Sequence, residues 1–301
     1  VGNAGSDTLD GGFGRDKLMG GEGDDTYYVD SRSDVITESL NQGNDHVITT
    51  KSYTLSSHIE SLELVGVAAV FAGGNSLDNV LTGNNGNNTL NGGLGADTMI
   101  GGSGNDVYIV DNVNDIVDDS AGSDTVKSKI NYTLGDGIEN LKMLGLLDIQ
   151  GTGNSLDNIL TGNRGDNLLD GGAGADMLIG GLGGDGFILS SNIDIDTIID
   201  FESGVDMVFI DAIEHGLFDT STFQGYKAGD IEGIINASEF ISIERGQSLA
   251  TGSDANFIFD KNDGSLSVDV DGSGLISAVQ IATFDVHHSD DLIATDLYIL
   301  L

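Results

Sequence analysis

The sequence predicts an all-β fold. A right-handed parallel β-roll, a form of β-helix solenoid, is expected over residues 1–190, followed by a β-rich C-terminal cap over residues 191–301. Three observations carry that prediction. A nine-residue unit recurs eleven times in phase, 36 of the 46 glycines lie before residue 190, and the tail is instead rich in short β-branched and aromatic runs.

The unit reads G-G-x-G-x-D-x-U-x, where U is large and apolar. Copies open at Gly2, Gly11 and Gly20, at Gly74, Gly83, Gly92 and Gly101, and at Gly153, Gly162, Gly171 and Gly180. The eighth position is Leu9, Leu18, Tyr27, Leu81, Leu90, Met99, Tyr108, Leu160, Leu169, Leu178 and Phe187 in turn. A unit with glycine at so many of its first four places resists helix formation, since each glycine costs about 1 kcal/mol there. Glycine permits positive φ and close backbone approach, so six residues read as a turn and the final x-U-x as a short strand with U inward. Two units then make one coil, and copies i and i+2 stack on the same edge. That stacking places Asp7 near Asp25, Asn79 near Asp97, Asn88 near Asp106, Asn158 near Asp176 and Asn167 near Asp185.

Stacked carboxylates repel one another unless a cation lies between them. Calcium suits such a place, because Asp and Asn oxygens and turn carbonyls can supply six to eight hard ligands. Soft transition metals fit poorly, with no Cys in the chain and no His inside a repeat. The candidate side-chain ligands are Asp7, Asp16, Asp25, Asp34, Asn79, Asn88, Asp97, Asp106, Asp115, Asn158, Asn167, Asp176 and Asp185. The turn glycines Gly5, Gly14, Gly23, Gly95, Gly104, Gly174 and Gly183 complete the set. A lone Asp in a turn reads as a cap. Eleven Asp or Asn residues in register read as cation ligands, the four Asn forming weaker, less charged sites. Asp34 and Asp115 extend the series, pairing with Asp16 and Asp97, and Asp194 holds the same nine-residue spacing after Asp185.

Charge composition agrees. Lys and Arg number 11 against 49 Asp and Glu, a formal net charge of −38. Such a chain resists compaction without counter-ions, and nucleic acid and anionic membranes are poor partners for it. The absence of Cys removes disulfides and thiol chemistry, so the expected staple is ionic.

A longer period ties the blocks together. Val47, Tyr53, Leu55, Glu60, Leu62 and Gly66 recur 79 residues later as Val126, Tyr132, Leu134, Glu139, Leu141 and Gly145. The segments between blocks therefore read as strand-rich parts of one super-repeat. Gly43-Asn44-Asp45-His46-Val47 and Gly122-Ser123-Asp124-Thr125-Val126 read as half-repeats. Beyond residue 190, strands are expected at Ile198–Phe201, Met207–Ile210, Phe240–Ile243, Phe257–Phe259 and Val279–Phe284, as a cap covering the last coil. Asp269-Val270-Asp271-Gly272-Ser273-Gly274 reads equally as part of a calcium loop or as a polar hairpin turn.

The nonapeptides resemble those of RTX (repeats-in-toxin) proteins of Gram-negative bacteria, whose repeat is a calcium-binding parallel β-helix unit. The C-terminal portion is similar to the ends of serralysin-type proteases, family I lipases and mannuronan epimerase modules. That similarity rests on Asp196-x-Ile198-x-Asp200-Phe201, Phe257-x-Phe259-Asp260, Asp269-x-Asp271-Gly272-x-Gly274 and Gln280-Ile281-Ala282. Asp296-Leu297-Tyr298-Ile299-Leu300-Leu301 is similar to an uncleaved type I secretion signal, and reads as an ordinary last strand as well. The resemblance implies a secreted, monomeric calcium module that folds outside the cell, with the type I secretion machinery as partner. A chain that opens on Val1 is expected to be a fragment or processed product of a larger exoprotein. An adhesin or surface-layer end that binds polysaccharide or a cell surface, or an accessory module of a secreted enzyme, is the alternative.

Catalysis within the chain is not expected. His46, His58, His215, His287 and His288 form no H-E-x-x-H pair, and G-x-S-x-G and G-K-[ST] are absent.

Overall fold

The computed structural model describes residues 1–190, 194–211, 231–234, 240–243, 257–261, 263–268, 279–285, 292–293 and 296–300. Among the described residues there is no helix of four turns or more, and the architecture is a parallel β-solenoid continued by a C-terminal β region. All eleven x-U-x triplets form strands, from Thr8–Asp10 and Lys17–Leu18 to Met177–Ile179 and Gly186–Leu189. They are short because the glycine-rich turn consumes the rest of each unit.

Contacts divide the chain into two units, Val1–Asn131 with Gly135–Asn140, and Tyr132–Leu134 with Leu141–Leu301. In the first, one parallel ladder runs through Thr8–Asp10, Thr26–Val29, His46–Thr49, Ser61–Leu64, Val80–Thr82, Thr98–Ile100 and Ile116–Asp118. A second runs through Tyr53–Thr54, Phe71–Gly73, Thr89–Asn91, Val107–Val110 and Thr125–Ser128. Register within the blocks is the expected two-unit step: Leu9 pairs with Tyr27, Leu81 with Met99, Leu90 with Tyr108. The strands between blocks join the same ladders, as Val47 pairs with Tyr27 and with Leu62, and Leu62 with Leu81. Coil length varies there, yet the inward positions stay in phase, because a one-residue slip would turn every apolar side chain outward. Leu9, Tyr27, Val47, Leu62, Leu81 and Met99 thus form one buried column. Each such side chain contributes roughly 1.5–3 kcal/mol by leaving water.

In the second unit, one ladder comprises Tyr132–Thr133, Gln150–Thr152, Leu168–Asp170, Gly186–Leu189, Met207–Asp211 and Leu297–Leu300 in parallel, with Ile231–Ile234 antiparallel at the edge. The other includes Ile159–Thr161, Met177–Ile179, Asp196–Ile198 and Val279–Phe284 in parallel order. Ser265–Val268 and Phe257–Asp260 then add antiparallel, and Phe240–Ile243 parallel. Three strands expected in the cap, at 196–198, 207–211 and 279–284, therefore extend the roll's own ladders in parallel past residue 190. The strand expected at Ile198–Phe201 instead spans Asp196–Ile198. The chain bends at Ile199 and Asp200 because the Asp200 carboxylate reaches back to the amides of Gly180 and Gly181 at 2.8 and 2.9 Å.

Aromatic rings close this end of the core. Phe201 meets Phe284 edge-on at 5.2 Å and Phe187 at 6.3 Å, while Phe259 meets Phe284 edge-on at 5.7 Å. The final strand Leu297–Leu300 is pinned by Asp296, which accepts from the Ser203 hydroxyl at 2.7 Å and the Gly204 amide at 3.2 Å. Asp269–Gly274, His215, His287 and His288 lie outside the described residues.

Candidate metal centres

The turns stack as the repeat spacing requires, and one hydrogen bond recurs along the edges. The amide of each sixth-position residue donates to the sixth-position carboxylate one coil further on. Asp7 donates to Asp25 Oδ1 at 2.7 Å, Asp16 to Asp34 at 3.1 Å, and Asp25 to Asp45 at 2.9 Å. Asn79 donates to Asp97 at 2.8 Å, Asp97 to Asp115 at 3.0 Å, Asn88 to Asp106 at 2.6 Å, and Asp106 to Asp124 at 2.6 Å. In the third block Asn158 donates to Asp176 at 2.7 Å and Asn167 to Asp185 at 2.8 Å. Oδ1 of each carboxylate is thereby aimed along the stack.

The second oxygen has a different fate. Oδ2 of Asp7, Asp16, Asp25, Asp97, Asp106, Asp124 and Asp176 is buried without any hydrogen-bond partner, as is Oε2 of Glu38. Buried polar atoms are rarely left so, because each costs about 1–3 kcal/mol. Seven in equivalent turns point to a shared missing partner that accepts oxygen ligands. The same turns are hollow at their opening glycine. A Cβ on Gly2 would lie 2.8 Å from the Asp7 carboxyl carbon and 2.5 Å from the Gly20 carbonyl oxygen of the coil beyond. Equivalent clashes with the sixth-position carboxylate occur at Gly20, Gly92, Gly171 and Gly180. The cradle is thus lined by carboxylate and carbonyl oxygens, the donor set of a hard divalent cation, and calcium fits it. The fourth-position glycines Gly5, Gly14, Gly23, Gly95, Gly104, Gly174 and Gly183 all take positive φ, between 102° and 139°, which shapes the turn.

Burial is the leading cause of the carboxyls' altered acidity. It pushes Asp97, Asp106 and Asp185 up to about 6, and Asp124, Asp176 and Asp196 up to about 7, with neighbouring carboxylates adding to the rise. The stacked amide donor opposes this in each case.

The Asn rungs are built otherwise. Oδ1 of Asn79, Asn88, Asn158 and Asn167 accepts the amide four residues earlier, from Asn75, Asn84, Asn154 and Asn163, at 2.6–2.7 Å. Their Nδ2 atoms reach neighbouring oxygens, Asn79 donating to the Ile59 carbonyl at 2.9 Å and Asn88 to Asn84 Oδ1 at 3.2 Å. Asp34 and Asp115 also have both oxygens engaged by amides. Asp34 accepts from Asp16 and Ser31, and Asp115 from Asp97, Asp111 and Asn112. They close their columns as caps. Asp194 does not hold the place its spacing suggests. Asp196 takes the Asp176 amide at 3.1 Å, because that coil is two residues longer, and Asp206 takes that of Asp185 at 2.8 Å.

Several members of the network escaped the repeat pattern. Glu60 and Glu139 accept the amides of Asp45 and Asp124, each at 2.8 Å. Their 79-residue spacing was the available signal. Glu38 and Asp119 lie outside any nonapeptide and carried no signal of their own, while Asp200 stood out only within the Asp196-x-Ile198-x-Asp200-Phe201 resemblance.

These features define an acidic parallel roll with calcium-type turns, and the family comparison names the class. The model for the RTX calcium-binding nonapeptide repeat, in four copies, matches residues 1–36, 73–108 and 152–187. The matched stretches are the three blocks of nonapeptides, which the structure folds as a parallel β-roll. Among curated proteins, the chain is similar to the endo-1,3-1,4-β-glycanase ExsH of Rhizobium meliloti (strain 1021), at 39% identity over 83 residues. That stretch is 27% of this chain and 18% of the glycanase.

Proposed function

We propose that this chain is the calcium-responsive folding and secretion module of a larger extracellular protein, with a roll over residues 1–190 and a cap over 191–301. The observation that carries the proposal is the row of buried Oδ2 atoms without partners in equivalent turns. On a chain of net charge −38, they make the folded roll costly until cations neutralise the stack. In this reading Asp7, Asp16, Asp25, Asp97, Asp106, Asp176 and Asp185 supply the carboxylates. The turn carbonyls around Gly5, Gly14, Gly23, Gly95, Gly104, Gly174 and Gly183 supply the remainder, and Asp34, Asp115 and the Asn rungs complete the columns with fewer open oxygens.

Extracellular calcium modules bind with dissociation constants of about 10⁻⁴ to 10⁻³ M, above cytosolic calcium and near its level outside. At tenfold excess each site adds about 1.4 kcal/mol to the folded state. The chain would remain extended inside the cell, pass a type I secretion channel from its C-terminal strand, and fold outside as a monomer. Far-ultraviolet circular dichroism in EDTA and in millimolar calcium tests this. A β signal that appears with calcium supports it, and equal β content in both conditions would end it.

The partial likeness to a β-glycanase favours one second reading, that the module serves a secreted polysaccharide-acting enzyme and touches its polymer. Binding of the isolated chain on a glycan array supports that reading, and a blank array counts against it.

A further inference from the structure

We infer that blocks one and two each end in a cation site tighter than those inside the block, built by an acidic side chain standing where the repeat has its opening glycine. The inference rests on the calcium reading above and deepens it. Within the blocks, the coil beyond Gly2, Gly74 and Gly83 again presents glycine eighteen residues on, at Gly20, Gly92 and Gly101. Beyond the last repeat the same step reaches Glu38 from Gly20 and Asp119 from Gly101.

In block two, Asp106, Asp119 and Asp124 each present a carboxylate oxygen, and these atoms lie within 4.8 Å of one another. Asp106 and Asp124 are 1% and 0% exposed, and Oδ2 of each has no hydrogen-bond partner. A Cβ on Gly101 would strike the Tyr108 hydroxyl, Asp106 Oδ2 and Asp119 Oδ2 together, so these oxygens converge on a space that only glycine leaves open. The Tyr108 hydroxyl donates to Asp119 Oδ2 and holds the extra carboxylate over the pair. Block one repeats the tyrosine-held acid, although its carboxylate oxygens do not gather as closely as those of the block-two trio. The Tyr27 hydroxyl donates to Glu38 Oε1, which also accepts the Gly20 amide at 2.8 Å, while Glu38 Oε2 and Asp25 Oδ2 are buried and unpartnered.

Block three departs from it. Phe187 replaces the tyrosine, and both oxygens of Asp200 are taken by the Gly180 and Gly181 amides. The inference is therefore confined to blocks one and two. A third carboxylate raises affinity for a hard cation through the charge count of its ligands. These two sites fill first as calcium rises and anchor the end of each run of repeats.

The test is titration of the full chain with Tb³⁺ and with Ca²⁺, following tyrosine-sensitised Tb³⁺ emission and counting Ca²⁺ by native mass. The chain has no Trp, so tyrosine is the donor, and Tyr27 and Tyr108 stand beside the two clusters. Sensitised emission is expected in the first, tightest step. Asp119→Asn with Glu38→Gln should weaken that step about tenfold or more, while later steps and the β signal at saturating calcium persist. Asp119→Gly, which restores the residue the repeats carry, provides a second variant with the same expected loss. Unchanged affinity in the first step in these variants, with calcium still folding the chain, would overturn this inference alone. No calcium binding by the unaltered chain would overturn the calcium reading and this inference with it.

Discussion

The amide of Asn158 donates to Oδ1 of Asp176 at 2.7 Å, while Oδ2 of Asp176 is buried with no partner. One carboxylate thus locks one coil to the next with its first oxygen and leaves its second buried without a hydrogen-bond partner.

Asp176→Asn tells the two oxygens apart. The amide side chain keeps an acceptor for Asn158 and removes the charge, so the metal-free chain should gain stability. In calcium the same variant should lose, with about one ion fewer by native mass and a higher calcium midpoint, because a buried charge helps only when paired. Urea melts in EDTA and in calcium measure both. The same sign in both conditions would contradict the assignment.

The pH dependence has a definite sign. Asp97, Asp106 and Asp185 are pushed up to about 6, and Asp124, Asp176 and Asp196 up to about 7, against about 3.9 for an unfolded Asp. Between those values the folded chain holds more protons than the unfolded one. Metal-free stability is therefore greatest at low pH and is lost as pH rises through 6 to 7. With calcium the order reverses, since protons compete for the same oxygens and release ions as pH falls below about 6. Circular dichroism across pH 4 to 8, with EDTA and with calcium, reads both limbs.

Gly174→Ala should destabilise the roll with or without calcium. Gly174 has φ of +117°, and a Cβ there would sit 2.5 Å from the Leu156 carbonyl oxygen and 2.8 Å from its carbon. The left-handed conformation alone costs a non-glycine residue about 1–2 kcal/mol. Thermal melts in calcium should show a loss of at least that size, whereas Ala173→Gly next door should change little by comparison.

Asn88→Asp probes the other kind of rung. Asn88 accepts the Asn84 amide at 2.7 Å and donates to Asn84 Oδ1 at 3.2 Å, so its turn is satisfied by its own hydrogen bonds. A carboxylate there loses the donor and adds a charge beneath Asp106. The metal-free chain should become less stable, by about 1–3 kcal/mol from the broken bond, and folding should depend more strongly on calcium. Paired urea melts in EDTA and calcium measure the difference.

These outcomes rest on features of unequal visibility in the sequence. The strands, the inward Leu, Met and Tyr ladder and the eighteen-residue stacking follow from a period that chance does not hold over eleven copies. The pairing of Asp16 with Asp34 and of Asp97 with Asp115 was legible for the same reason. The period also reached Glu60 and Glu139, though only as a match 79 residues apart. It could not reveal that Glu60 and Glu139 cap the stacks, because a glutamate outside the unit has no fixed place until the coil's length is known. Asp196 in place of Asp194 shows the same limit, since two added residues move the ligand position without disturbing the apolar phase. The contrast between Asp and Asn rungs was visible as letters. Its physical meaning, an open oxygen against a closed amide turn, needed the hydrogen bonds.

The most direct measurement is a crystal structure grown with ample calcium, with anomalous scattering used to locate the ions. Density for a divalent ion within about 2.3–2.6 Å of Oδ2 of Asp16, Asp97 and Asp176 is the predicted result. Water or empty space at all three turns, in crystals saturated with calcium, would contradict the account.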